Sequence, residues 1–205
     1  MNYFRLVCFC VVFLAALPTQ AANIIYSYTG TITSGGGFGD FVGTEGQQLS
    51  GTIFFDDATA GVADCCGGTN YAGSLGNMGF TLTANGTTYS DTDAVWAGAF
   101  RRLSVDDNSG FTFADSITFS IAGGPVPEFQ ILLSDSSQTA LVDESIPLLT
   151  LNGFTDPGDF ATGRLSLPTG EVFFNLDSIA PVPLPPALLL FGSALAGLLW
   201  RRKRG

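Results

Sequence analysis

Apolar and polar residues alternate along most of this chain, with the two-residue period of strands and not the 3.6-residue period of helices. Ile24 to Thr33, IIYSYTGTIT, is dense in β-branched and aromatic residues and predicts a first strand. A glycine-rich stretch, Ser34 to Gly46, separates it from a second, Leu49 to Phe55, which Asp56-Asp57 ends. Ala58 to Gly76 reads as a loop rich in glycine and holding two cysteines. Phe80, Leu82 and Ala84 then alternate with threonines up to Asn85-Gly86. That dipeptide tolerates positive φ at both positions, so it predicts a tight hairpin.

Phe111, Phe113, Ile117, Phe119 and Ile121 carry the pattern on, with Asp115-Ser116 between them as a bulge or short turn. Phe129, Ile131 and Leu133 predict another strand. Leu165 and Leu167, then Val172, Phe174 and Leu176, flank Pro168-Thr169-Gly170 as a final hairpin. No interior stretch combines helical period with caps. Short strands split by Gly, Asp, Asn and Pro predict an all-β fold, an antiparallel β-sandwich or jelly roll, with the phenylalanines as core.

The two ends break this pattern. Met1 to Arg5 is short and basic, Leu6 to Leu17 is unbroken apolar, and Pro18-Thr19-Gln20-Ala21 brings a helix breaker and small residues. This is the layout of a secretory signal peptide, a helix over 1–21 with cleavage between Ala21 and Ala22. At the other end, Val182-Pro183-Leu184-Pro185-Pro186 is stiff and extended, because proline fixes φ and disfavours helix before it. Leu184 to Trp200 follows without a charge and predicts a short transmembrane helix. Arg201, Arg202, Lys203 and Arg204 then hold that end in the cytoplasm as a stop-transfer cluster. The organisation is a signal peptide (1–21), an exported domain (22–180) and a tail with a membrane helix and basic end (181–205).

Charge narrows the function. All 18 acidic residues fall in the exported part, against only Arg101, Arg102 and Arg164, which leaves it at −15 with no lysine and no histidine. Such a surface repels phosphate backbones, so nucleic acid is excluded as a partner. Without His or Lys, neither a Ser-His-Asp triad nor a Ser-Lys dyad exists, and zinc lacks ligands. No catalytic residue is assigned and the chain is read as a non-enzyme.

Cys65 and Cys66 are neighbours, and export brings them into an oxidising compartment. A vicinal disulfide is the first reading, free or intermolecular thiols the second, a metal site the third. Asp106-Asp107-Asn108 offers hard oxygen ligands, but the spacing is not that of an EF-hand. No cofactor is expected, with Ca²⁺ at Asp106, Asp107 and Asn108 as the minor alternative.

The tail as a whole resembles the PEP-CTERM sorting signal: a proline motif, a short apolar helix and a terminal basic cluster, in that order. The motif falls on Val182, Pro183, Leu184 and Pro185, with leucine in place of the central glutamate. The resemblance covers Val182 to Gly205. It implies that an exosortase-type membrane transpeptidase cuts near the prolines on the outer side. It further implies that the domain passes from the secretion machinery and a transient stay in the inner membrane to the cell surface or extracellular matrix of a Gram-negative bacterium. Tyr28 to Thr33, Gly46 to Asp57 and Gly163 to Ile179 look like other β domains bearing this signal, which implies a fold and no activity. The expected role is a structural or interaction protein of the cell surface or biofilm matrix. The alternative is a carbohydrate-binding module acting on exopolysaccharide, with Trp96 as its stacking residue and calcium as an aid.

Overall fold

The computed structural model describes residues 23–36, 41–56, 58–63, 68–74, 76–93, 96, 98–107, 114–123, 127–141, 143, 145 and 149–183. They form an all-β fold of eleven strands: β1 (Asn23–Gly36), β2 (Gln48–Asp56), β3 (Gly61–Ala63), β4 (Thr69–Gly73), β5 (Met78–Ala84), β6 (Thr87–Ser90), β7 (Phe100–Asp106), β8 (Asp115–Ala122), β9 (Glu128–Asp135), β10 (Phe160–Leu167) and β11 (Gly170–Pro181). Every pairing is antiparallel, in one hydrogen-bonded sheet ordered β3-β4-β7-β8-β9-β10-β11-β1-β2-β5-β6.

Alternation builds the core. In β8 and β9 every second residue is buried: Ile117, Phe119 and Ile121 in one, Phe129, Ile131 and Leu133 in the other. The sheet is curled, because strands far apart in its order touch across the interior. The Phe80 ring of β5 lies flat on Phe129 of β9, with centroids 4.0 Å apart and planes 4° apart. Tyr28 of β1 stacks on Phe174 of the adjoining β11 and also reaches Phe129. Gly51 permits this packing, since a Cβ there would lie 2.4 Å from the Tyr28 hydroxyl and 2.0 Å from the Thr81 carbonyl oxygen. Tyr28 instead donates its O–H to that carbonyl at 2.8 Å, spanning β2 to reach β5.

The Asn85-Gly86 turn is as expected, with φ of 50° and 77°, and β6 returns along β5. The final hairpin also forms, with Leu167 opposite Gly170. Three details differ from the sequence reading. The expected loop over 58–76 contains β3 and β4. The segment FRRLSVD forms β7, which alternation obscured because Arg101 takes an inward position ahead of Leu103 and Val105. Asp115-Ser116 is neither a bulge nor a turn: it opens β8 in unbroken register, and Asp115 is buried opposite Asp135 of β9. Phe111 and Phe113 lie outside the described residues, as do the signal peptide and the tail helix.

Between β6 and β7 the chain crosses from one edge of the sheet towards the other. Trp96 fills this crossing, edge-on to Phe80 at 5.0 Å and 78°. Asp91 and Arg101 fasten its two ends by a buried ion pair of 3.2 Å. Arg101 also donates to the Ala99 carbonyl at 3.0 Å.

Candidate functional site

Most residues singled out as processing or ligand positions lie outside the described residues: Ala21, Ala22, Leu184, Pro185, Arg201, Arg202, Lys203, Arg204, Cys65, Cys66 and Asn108. Val182 and Pro183 are described and exposed, directly after β11. The Val182 N–H donates to the Ile25 carbonyl at 2.7 Å, so the β1–β11 pairing runs to the first residue of the proline motif. Both ends of the domain therefore leave the same end of the same strand pair, with Tyr26 opposite Pro181.

Trp96 is no stacking platform. It is 1% exposed and belongs to the core. Tyr26, Tyr28, Tyr71 and Tyr89 are buried too. Among the described residues the exposed aromatic side chains are phenylalanines: Phe100 at 81%, Phe160 at 58% and Phe173 at 42%.

Two of these, Phe160 and Phe173, share the outer face of β9, β10, β11 and β1; Phe173 lines a trough of about 400 Å³ that opens on this face, and Phe160 stands beyond its lining residues. Strand register builds it from two rows across the sheet. One row runs Gln130, Arg164, Phe173 and Ser34, each opposite the next. The other runs Leu132, Thr162, Asn175 and Thr31. The short Thr162 sits between larger neighbours and leaves the depression; Phe160 stands two residues before it on the same face. Gly163, between Thr162 and Arg164, points inward, where a Cβ would lie 2.1 Å from the Phe174 ring. That ring fills the inner side of β10 while the outer side stays low.

Arg164 is the charged residue lining this trough, and it is already paired. Its Nε donates to Glu171 at 2.8 Å and one terminal nitrogen donates to Glu128 at 2.9 Å. Its guanidinium carbon lies 5.6 Å from the Phe173 ring centre. Thr33 donates to the Phe173 carbonyl at 3.2 Å. The side-chain amides of Gln130 and Asn175 and the hydroxyl of Thr162 have no hydrogen-bond partner among the described residues.

A second polar cluster lies at the other end of β9. Asp135 is fully buried; one oxygen accepts the Ser137 N–H at 2.7 Å and hydroxyl at 2.6 Å, the other the N–H groups of Thr139 at 2.7 Å and Ala140 at 2.8 Å. Burial opposes its ionisation, but the Ser137 hydroxyl and the three N–H donors outweigh burial and hold its pKa down at about 2. Across the strand pair, Asp115 accepts the Leu141 N–H at 3.0 Å with one oxygen, while the other has no partner. Asp106 and Asp107, two of the three residues weighed for calcium, are half-buried at and just beyond the end of β7. Among the described residues no three carboxylates or thiols come together as a metal site would require.

The sequence reading missed the trough. Its signal was present but faint: Gln130 and Leu132 are the outward positions between Phe129, Ile131 and Leu133, and Arg164 is an isolated cation in an acidic domain. Comparison with protein-family models, with curated proteins and with solved structures finds no match to this chain.

Proposed function

We propose that the chain is an exported structural or interaction protein of the bacterial cell surface or extracellular matrix. It is non-enzymatic, tethered for a time in the inner membrane of a Gram-negative bacterium, and released by an exosortase-type transpeptidase. The curled sheet serves as a sandwich-like body with a solvated, acidic exterior, which keeps a phenylalanine-rich fold soluble once it is outside.

One observation carries this reading. The described strands run from Asn23 to Pro181, which suits a domain set between two addressing segments. β1 begins at Asn23, next to the Ala21–Ala22 boundary, and β11 ends at Pro181, next to Val182-Pro183. A signal peptide and a removable tail need a domain that is complete without them. The pairing of β1 with β11 supports this, since it brings Asn23 and Pro181 to one end of a single strand pair.

The test is intact-mass measurement of the protein recovered from its producing organism, with and without the transpeptidase gene. Loss of residues 1–21 and of the basic tail in the parent strain, with the tail retained in the deletion strain, supports the reading. Protein found in the cytosol and still ending in Gly205 would overturn it.

A further inference from the structure

We propose that the trough over β9, β10, β11 and β1 binds an uncharged oligosaccharide segment, seated across the strands between Phe160 and Phe173. Recognition of this kind combines apolar ring faces with a few placed polar groups. Both are here. Phe160 and Phe173 expose large aromatic surface on one face of the sheet. Isolated exposed apolar side chains need no explanation, but two of them flanking a polar trough do.

Between them stand Thr162 and Asn175, and Gln130 lies across Arg164 from Phe173; the polar groups of all three are not consumed by the fold. A carboxamide donates and accepts through adjacent atoms, and so does a hydroxyl, which matches the paired hydroxyls of a sugar ring. Four strands span roughly 14 Å at the usual inter-strand spacing, long enough for a short run of rings.

Charge selects the class. Arg164 lies between Glu128 and Glu171, so the group of three is net negative and has no cationic surplus for an acidic sugar. The exported part as a whole is at −15, which disfavours an anionic polymer further. A peptide is less suited. The backbone beneath the trough is paired on both sides in the ladder, so no strand edge is offered, and the lining is too polar for an amphipathic helix. The proposal deepens the matrix reading by naming what the surface would hold, yet it stands or falls on binding alone, whatever becomes of the tail.

The test is isothermal titration of the full chain, in a detergent without sugar head groups. The probes are neutral hexasaccharides of glucose, mannose, galactose and xylose, with hexagalacturonate as the acidic comparison. At least one neutral probe should bind and the acidic one should not. Phe160→Ala or Phe173→Ala should weaken that binding about tenfold, and Asn175→Ala or Gln130→Ala about fivefold. Phe100→Ala, on β7 and away from the trough, should leave it unchanged.

Three results would overturn the proposal: no neutral probe binds, the trough variants bind as well as the parent, or the acidic probe binds best. A concentration-dependent dimer that dissociates in Phe173→Ala would assign the face to a second copy of the chain and overturn it equally. Circular dichroism of each variant identifies any that fails to fold. For those, Phe160→Leu and Phe173→Leu keep apolar bulk without the ring and should lose affinity in the same order.

Discussion

Asp135 carries the sharpest energetic claim that any single side chain here supports. A carboxylate removed from water is costly unless donors replace the water, and four groups from residues 137–140 do so. Its pKa is held at about 2, below the ordinary value near 3.8. A depressed folded-state pKa stabilises the fold fully above the unfolded value, and that contribution is lost as pH falls towards the folded one. Asp135→Asn keeps the shape but turns an NH₂ towards N–H donors. It should cost about 2–3 kcal/mol at neutral pH by urea unfolding. The gap to the parent should narrow between about pH 4 and pH 2; a gap independent of pH would refute the role of the charge. Residues of this kind explain what sequence reading misses. Phe80, Phe119 and Phe129 were legible as core because alternation places them. Asp115 was read as part of a bulge or short turn, and the donor that lets it stay inside a strand, the Leu141 N–H, is 26 residues away. Trp96 invited a functional reading for its rarity, and only the crossing between β6 and β7 reveals its place in the core.

Among the elements, long strands with a local turn were the legible ones, and strands defined by distant partners were not. β5 and β6 are joined by Asn85-Gly86, and β10 and β11 by Pro168-Thr169, so each hairpin writes its own signal. β3 and β4 are three and five residues long, sit at a sheet edge, and exist through pairing with one another and with β7. β7 was hidden by its arginines, and that same disguise marks its function in the fold. Arg101 points inward to meet Asp91, with side chains 5% and 4% exposed, and so ties the start of β7 to the end of β6. Breaking one partner of a buried pair leaves an uncompensated charge, whereas removing both leaves apolar packing. Asp91→Ala should therefore destabilise by about 3–5 kcal/mol. Asp91→Leu combined with Arg101→Met should recover much of that loss. Chemical denaturation of the three proteins checks it, and a double variant as weak as the single would show that the crossing needs the ions themselves.

For the molecule as a whole, the central β1–β11 pair decides where the proposed release can occur. Every residue of β11 from Glu171 to Pro181, apart from one bulged position, faces a partner on β1, and Val182 adds its N–H to Ile25. The pairing with β1 is described as far as Val182, directly before Pro183, whose ring fixes φ and keeps the residue before it extended. A transpeptidase that draws an extended segment into its cleft can take Pro183 without breaking the β1–β11 ladder. To cut upstream it would have to peel β11 from the centre of the sheet, and even a handful of ladder bonds at about 1 kcal/mol each makes that slow. The mature protein should accordingly retain Val182 and Pro183, with its new C-terminus at or beyond Pro183. A C-terminal peptide map of protein from the producing organism locates that end, and a terminus inside β11 would contradict the argument. A Gly-Ser-Gly-Ser spacer inserted between Val182 and Pro183 moves the motif away from the folded edge and should speed release in a pulse-chase experiment. Destabilising the crossing by Asp91→Ala should leave the position of the cut unchanged as long as β11 stays paired with β1, because Asp91 follows the edge strand β6 and lies outside that pair.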